Sequence, residues 1–186
     1  MMRILFIACM AAGLLAGCRG GTARSARDTL YPREAAFIRE VFEGPRLDSQ
    51  LVLVDAMAGA MLTHSLENME RAGDVLTPEE RDTVRRQMSL PGQTWTAGSF
   101  PGARLISQDT VQSIFRDTAR GWNYFYKVYG PAFYTFSRPV FLRGDSLCVF
   151  YSATHCGGLC GSGELSLYRK EGGRWVFQLI LSSWIS

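Results

Sequence analysis

The chain has 186 residues, is 47% hydrophobic and 20% charged, and carries a formal net charge of +3. That length suits one domain with a proper core. Acidic and basic residues are interspersed with no strongly basic face, so nucleic acid is not an expected partner.

The N-terminus opens with Met1-Met2-Arg3, continues as an apolar run over residues 4–15, and reaches Leu15-Ala16-Gly17-Cys18. A short cationic start, an apolar stretch and small residues before a cut form a secretory signal. The apolar run is too short to span a bilayer core of ~30 Å as a helix. The Leu-Ala-Gly-Cys ending resembles the bacterial lipobox. That resemblance implies a signal peptide over residues 1–17, cleavage before Cys18, and acylation of Cys18, so membrane lipid is an expected partner. Each buried CH₂ contributes about 0.8 kcal/mol, so several acyl chains anchor stably where one alone is marginal. Arg19, rather than an aspartate, follows the cysteine. By the same resemblance this implies the outer membrane, facing the periplasm.

Residues 18–31 are small, polar and basic, a flexible tether. Arg19, Arg24 and Arg27 either touch anionic headgroups, at up to about 1 kcal/mol each, or are simply solvated. A single domain is expected over residues 32–186. Pro32 suits a first helical turn, and Phe37, Ile38, Val41 and Phe42 form a stripe at helical spacing that Gly44-Pro45 stops. Residues 51–54 are a short apolar run, a strand or a helix start. Residues 55–72 are expected to be helical, with Ala58, Met61, Leu62, Ser65 and Met69 on one side and Gly73 closing the helix. Thr77-Pro78-Glu79-Glu80 is a capping box with proline at the first helical position, predicting a charged helix over residues 78–88. Two Pro-Gly pairs flank Trp95. Residues 103–107 read as a strand, and Asp109 is expected to cap a short helix through Phe115. Trp122, Phe125, Tyr126 and Tyr129 form an aromatic helix face ended by Gly130-Pro131.

The period then changes to two. Residues 133–142 carry Pro139, which marks an edge strand or a bulge. Residues 145–155, 164–169 and 174–185 follow at hairpin spacing. In the last of these Trp175, Phe177, Leu179 and Leu181 alternate with Val176 and Ile180. The expected architecture is α+β: N-terminal helices packed on a C-terminal antiparallel meander of about four strands.

The C-terminal half resembles bacterial envelope lipoproteins that share an aromatic helix, a strand with an early serine, a glycine-rich hairpin and a closing Trp-X-Ser. The matching residues are Trp122, Phe125 and Tyr129; Ser137 and Phe141; Gly161 and Gly163; Gly173-Arg174-Trp175; and Trp184-Ile185-Ser186. Such proteins supply an architecture and a location, and no catalytic residue.

Of the five cysteines, Cys9 leaves with the signal and Cys18 is lipidated. Cys148, Cys156 and Cys160 remain in a compartment that permits disulfides. Cys148 and Cys156 would lie roughly 26 Å apart on one straight strand, whereas a disulfide needs Cα atoms within ~7 Å. Cys156 and Cys160 enclose Gly157-Gly158-Leu159, and two glycines can supply a positive-φ turn. A Cys156–Cys160 clasp is therefore expected, with Cys148 a free thiol in the core. A zinc site from His155 and the three cysteines has suitable ligand types, but neighbouring strand residues point to opposite faces. A Cys-His nucleophile using His155 or His64 lacks an orienting acid. The glycines lack the Gly-Lys-Ser/Thr ending of a phosphate loop. Met57, Met61, Met69 and His64 offer soft ligands to Cu(I) if they share a helix, but a methionine stripe is ordinarily core. Glu79, Glu80 and Asp82 suit a helix's first turn.

These residues point to a non-enzymatic binding or structural module, with no cofactor implied. It would engage an envelope protein or a cell-wall component through a tip made by His155, Gly157, Gly158, Gly161 and Gly163. The alternative is a thiol, redox or cysteine-dependent enzyme using His155, Cys156 and Cys160.

Overall fold

The computed structural model describes residues 31–42, 51–59, 62–69, 75–117 and 119–186. The signal, Cys18, the tether before Tyr31, Gly44-Pro45, Met61 and Gly73 lie outside them. The elements in chain order are α1 (Pro32–Val41), β1 (Val52–Val54), α2 (Thr63–Asn68), α3 (Pro78–Met88), β2 (Arg104–Ile106), α4 (Gln108–Arg116), α5 (Gly121–Val128), β3 (Phe133–Phe136), β4 (Val140–Leu142), β5 (Leu147–Gly157), β6 (Cys160–Glu171) and β7 (Arg174–Ile185). The α+β layout is present. Its sheet is larger than a four-stranded meander and is mixed. Seven strands run in the order β2-β1-β3-β5-β6-β7, with β4 also paired to β5. β1 pairs in parallel with β2 and β3, and the remaining pairs are antiparallel.

The single strand expected over residues 133–142 is two. Between them Ser137 is buried, and its Oγ accepts the Tyr151 amide at 3.0 Å while its own amide donates to the Tyr151 carbonyl at 2.9 Å. The serine thus keeps β5 paired where Pro139 has no N–H to offer. Arg138, turned out of the sheet at this break, makes two hydrogen bonds, at 3.1 and 2.9 Å, to the buried Glu34 carboxylate of α1.

The alternation of β5 sorts the core. Leu147, Val149, Tyr151 and Ala153 pack with Leu165, Leu167, Leu181, α2 and α3. At the other end of the same face, Val52, Val54, Ile106 and Phe133 pack with Ile114 of α4 and Phe125 of α5. On the opposite face Cys148, Phe150 and Phe136 pack with α1, Trp95 and Phe100. Phe37 of α1 lies there in edge-on contact with four rings, those of Phe141, Phe150, Tyr168 and Trp175, at centroid distances of 5.2–5.8 Å. In β7 the register against β6 shifts twice, so the simple alternation expected there fails. Leu181 is buried, whereas Phe177 and Ile180 are exposed.

Helix ends follow local chemistry. Thr77 and Glu80 form the expected reciprocal box on α3. α4 is capped by Ser107, whose Oγ accepts the Thr110 amide at 3.1 Å, and Asp109, the expected cap, sits in the first turn instead. The serine immediately precedes the first helical residue, which is where a cap must stand. Among the described residues of 55–72 the α-helix is α2, and Asp55 and Met57 are instead held in extended backbone by bonds to Trp95 and Gln93. The β4–β5 turn runs through Arg143, Gly144 and Asp145 at φ 52°, 61° and 66°. It ties both helical layers to the sheet, since Arg143 forks onto Glu80 of α3 at 2.7 and 2.8 Å and Asp145 pairs with Arg33 of α1 at 3.1 Å.

Candidate functional site

The Cys156–Cys160 disulfide is formed, with Cα atoms 5.1 Å apart. β5 and β6 extend further than expected, leaving Gly158 and Leu159 as the turn between the paired Gly157 and Cys160. Neither Gly157 nor Gly158 has positive φ, so the clasp closes without the left-handed backbone expected of it. The ladder shifts register between His155 and Gly157 instead, and this bulge bends the strand. Gly157 is tightly placed: a Cβ there would stand 3.1 Å from the Tyr126 hydroxyl. That hydroxyl, on α5, donates to the Cys156 carbonyl at 2.8 Å and fastens the tip to the helix.

His155 is stacked on Phe133, with centroids 4.7 Å apart, and lies 5.7 Å from the Trp184 ring. Its Nε2 is buried without a partner among the described residues, and burial pushes its pKa below the ordinary value, favouring the neutral ring. Gly161 and Gly163 are seats for Trp184. A Cβ on Gly161 would meet the Ser186 hydroxyl at 2.9 Å and the indole at 3.3 Å, and one on Gly163 would run into the indole nitrogen and the Tyr151 hydroxyl. The same indole N–H donates to Tyr151 Oη at 2.8 Å. Of the five tip residues proposed from sequence, Gly158 alone faces open space. The residue that protrudes is Leu159, 92% exposed, with Ile185 at 88% where β7 pairs with the start of β6. The sequence placed Tyr126 on an aromatic helix face and Leu159 within the tip, without assigning the first as its fastening or the second as its protruding side chain. A lone leucine between two glycines and a cysteine was the available signal.

The other sequence candidates disperse. Cys148 is free and buried, and burial pushes its thiol well above the ordinary value, which leaves it protonated and unreactive. His64 sits on α2 with its ring 3.0 Å from the Asn68 amide. Met57 packs with the α1 cluster while Met69 lies in the core across the sheet, so the two share no face. Among the described residues no group of three His, Cys, Asp or Glu is placed to hold a metal ion. None of their helices is long and apolar enough to cross a membrane. Glu79 and Glu80 serve the first turn of α3.

A cavity of about 440 Å³ lies at the carboxyl ends of the parallel strands. One wall is the chain leaving β1, residues 56–59. Another is the loop after α3, residues 89–94. Thr63 of α2, the first residue of α4, Gln108, and Thr135 of β3 complete it. The bridge Ala56–Thr94 and the bond from the Met57 amide to the Gln93 carbonyl, 3.0 Å, hold the first two walls together.

The chain matches no family model, no curated protein and no solved structure with which it was compared.

Proposed function

We propose that the chain is a lipid-anchored envelope protein, held through Cys18 on the periplasmic face of the outer membrane, that binds an envelope protein or a cell-wall component without catalysing a reaction. The observation that carries the binding half is Leu159, 92% exposed on a turn fixed by a disulfide and by Tyr126. An exposed apolar side chain on a pre-shaped turn loses little further freedom on association, which is what favours an interface anchor. The anchoring half rests on the lipobox resemblance.

Two experiments test the two halves separately. Metabolic labelling with an alkyne palmitate should tag the protein, and Cys18→Ser should abolish the tag; persistent labelling of the variant refutes lipidation at Cys18. A photo-crosslinking residue replacing Gly158 should give a discrete adduct in cells that Leu159→Asp removes, while one replacing Arg86 on α3 should give none. The same adduct from both positions, or one indifferent to Leu159→Asp, refutes docking through the tip.

A second reading, thiol–disulfide exchange at the same bond, is favoured by the exposure of Cys160. Against it, Cys156 and Cys160 stand on strands, with no helix N-terminus to stabilise a thiolate.

A further inference from the structure

We infer that His155 makes the tip acid-sensitive: uncharged, its ring completes a row of four rings that braces the disulfide-closed turn, and on gaining a proton it is expelled from that row, so that the turn presenting Leu159 loosens. For its role in docking this rests on the proposed function of the tip; the chemistry of the row does not.

Three features carry it. The first is the row itself. Trp122 of α5 is stacked on Phe133 of β3 at 5.7 Å, Phe133 is stacked on His155 of β5 at 4.7 Å, and His155 lies 5.7 Å from Trp184 of β7. β6 runs between β5 and β7. The indole reaches across it because β6 carries glycine on that face, Gly161 opposite His155 and Gly163 opposite Trp184. Of the four rings the imidazole is the one that gains a proton in mild acid.

The second is the position of its nitrogen. Nε2 is sealed from solvent and has no hydrogen-bond partner among the described residues. A neutral ring can keep its proton on Nδ1, whereas a charged ring carries one on each nitrogen. The Nε2 proton would lie in the imidazole plane. Phe133 is inclined only 18° to that plane, so its face, which attracts cations, does not meet the proton. A buried donor without an acceptor is costly, and more so when it is charged.

The third is the surroundings. Phe133 of β3, Gly161 and Gly163 of β6, and Trp184 of β7 face the ring without charge. The titratable neighbours are Tyr151, whose hydroxyl accepts the Trp184 indole N–H, and Tyr126 of α5, whose hydroxyl donates to the Cys156 carbonyl. Lys127 of α5 is exposed and of the wrong sign to help. Glu164 of β6 lies on the opposite face of the sheet with Ser152 and Thr154. Burial accordingly holds the pKa of His155 below its ordinary value of 6.5.

The consequence reaches the tip through the backbone. His155–Gly161 is the last pair before the register shift that leads to Gly157–Cys160. The disulfide ties Cys156 to Cys160, but it does not tie the turn to the sheet. With the row broken, Tyr126 is left as the fastening. Because the unfolded chain takes up this proton more readily, the stabilisation is fully present above 6.5 and is lost as pH falls through the lower folded value.

The chain has two histidines, so the full chain with His64→Gln carries His155 alone. Its imidazole carbon shift reports protonation, and the heteronuclear NOE at the Gly158 and Leu159 amides reports order on the ps–ns timescale. A midpoint below 6.5 is expected, with loss of NOE at both amides over the same pH range. His155→Phe, which keeps a ring but cannot titrate, should hold the NOE constant. A midpoint at or above 6.5 overturns the inference, as does a tip that stays ordered once His155 is protonated, or the same loss in His155→Phe. If His155→Phe does not fold, the first two readings on the His64→Gln protein decide alone. In cells, the adduct from the photo-crosslinking residue at Gly158 should fall in acid medium and persist there in His155→Phe; an adduct indifferent to acid in the native chain overturns the control of docking. Absence of any adduct at either pH refutes docking through the tip and leaves the NMR result on His155 standing.

Discussion

Removing both cysteines of the tip, Cys156→Ala with Cys160→Ala, separates a structural clasp from a fold-bearing or reactive disulfide. The bond spans a sequence separation of 4. For so short a loop the chain-entropy relation gives about 2 kcal/mol at 25 °C, against nearly 5 kcal/mol for a loop of about 100 residues. Even this is partly offset, because the tip has other fastenings. β5 and β6 are paired from Leu147–Arg169 to His155–Gly161, and Tyr126 holds the Cys156 carbonyl. The expected loss is therefore about 2 kcal/mol or less. The slope of the urea transition should be unchanged, since no additional surface is exposed on unfolding. Urea unfolding followed by tryptophan fluorescence measures both quantities. A loss above about 4 kcal/mol would refute the reasoning, as it would mean the hairpin cannot hold its register without the bond. In the native protein Cys148 should react with an alkylating reagent only after unfolding, because burial keeps its thiol protonated. Reduction of Cys156–Cys160 by millimolar glutathione in the folded protein would shift the choice to thiol–disulfide exchange.

Phe37→Ala removes the ring on which four others converge, and should cost about 3–5 kcal/mol in chemical denaturation; a loss below about 1 kcal/mol would show that α1 is not docked on the sheet. Glu80 has its carboxyl pKa lowered first by the Arg143 hydrogen bonds, against an opposing effect of burial, with help from the Thr77 amide. The folded state thus binds this proton less readily than the unfolded state, so the contribution is present above the ordinary value of 4.5 and is lost as pH falls through the lower folded value. The melting temperature should fall in acid, and Arg143→Met should flatten that part of the profile; an unchanged profile refutes the pairing. Gly163→Ala should cost about 1–3 kcal/mol by overpacking against Trp184, while Gly158→Ala, open to solvent, should stay within about 0.5 kcal/mol. Equal melting temperatures for the two variants would refute the Trp184 seat.

Where a residue acts on its sequence neighbours, the sequence was legible. The Thr77–Glu80 box is fixed by four adjacent residues, and the Trp122–Tyr129 helix by its own spacing. The antiparallel strands showed through alternation because their faces meet different surroundings. β2 was legible as a strand over residues 103–107, whereas β1, three residues long and buried throughout, stood open between strand and helix. A strand covered on both sides has no polar face to alternate with. The same limit explains β7, where two register shifts change which residues face inward without leaving a mark in hydrophobicity.

The tip and the cavity differ in legibility for a related reason. The disulfide is local: two cysteines four apart, enclosing two glycines and a leucine, can scarcely avoid each other. What makes the tip rigid is not local, because Tyr126 stands thirty residues before the carbonyl it binds. Gly163 has no room for a side chain because Trp184 lies against it, and Gly161 is crowded by Ser186 and Trp184. Glycine therefore carried opposite meanings within one hairpin. Gly158 is bare turn, whereas Gly161 and Gly163 are contact surfaces with no more room to change than a core residue has. The cavity is the extreme case. Ala56, Thr94, Gln108 and Thr135 share no spacing and bear no charge, and they meet only because β1 is paired in parallel on both sides.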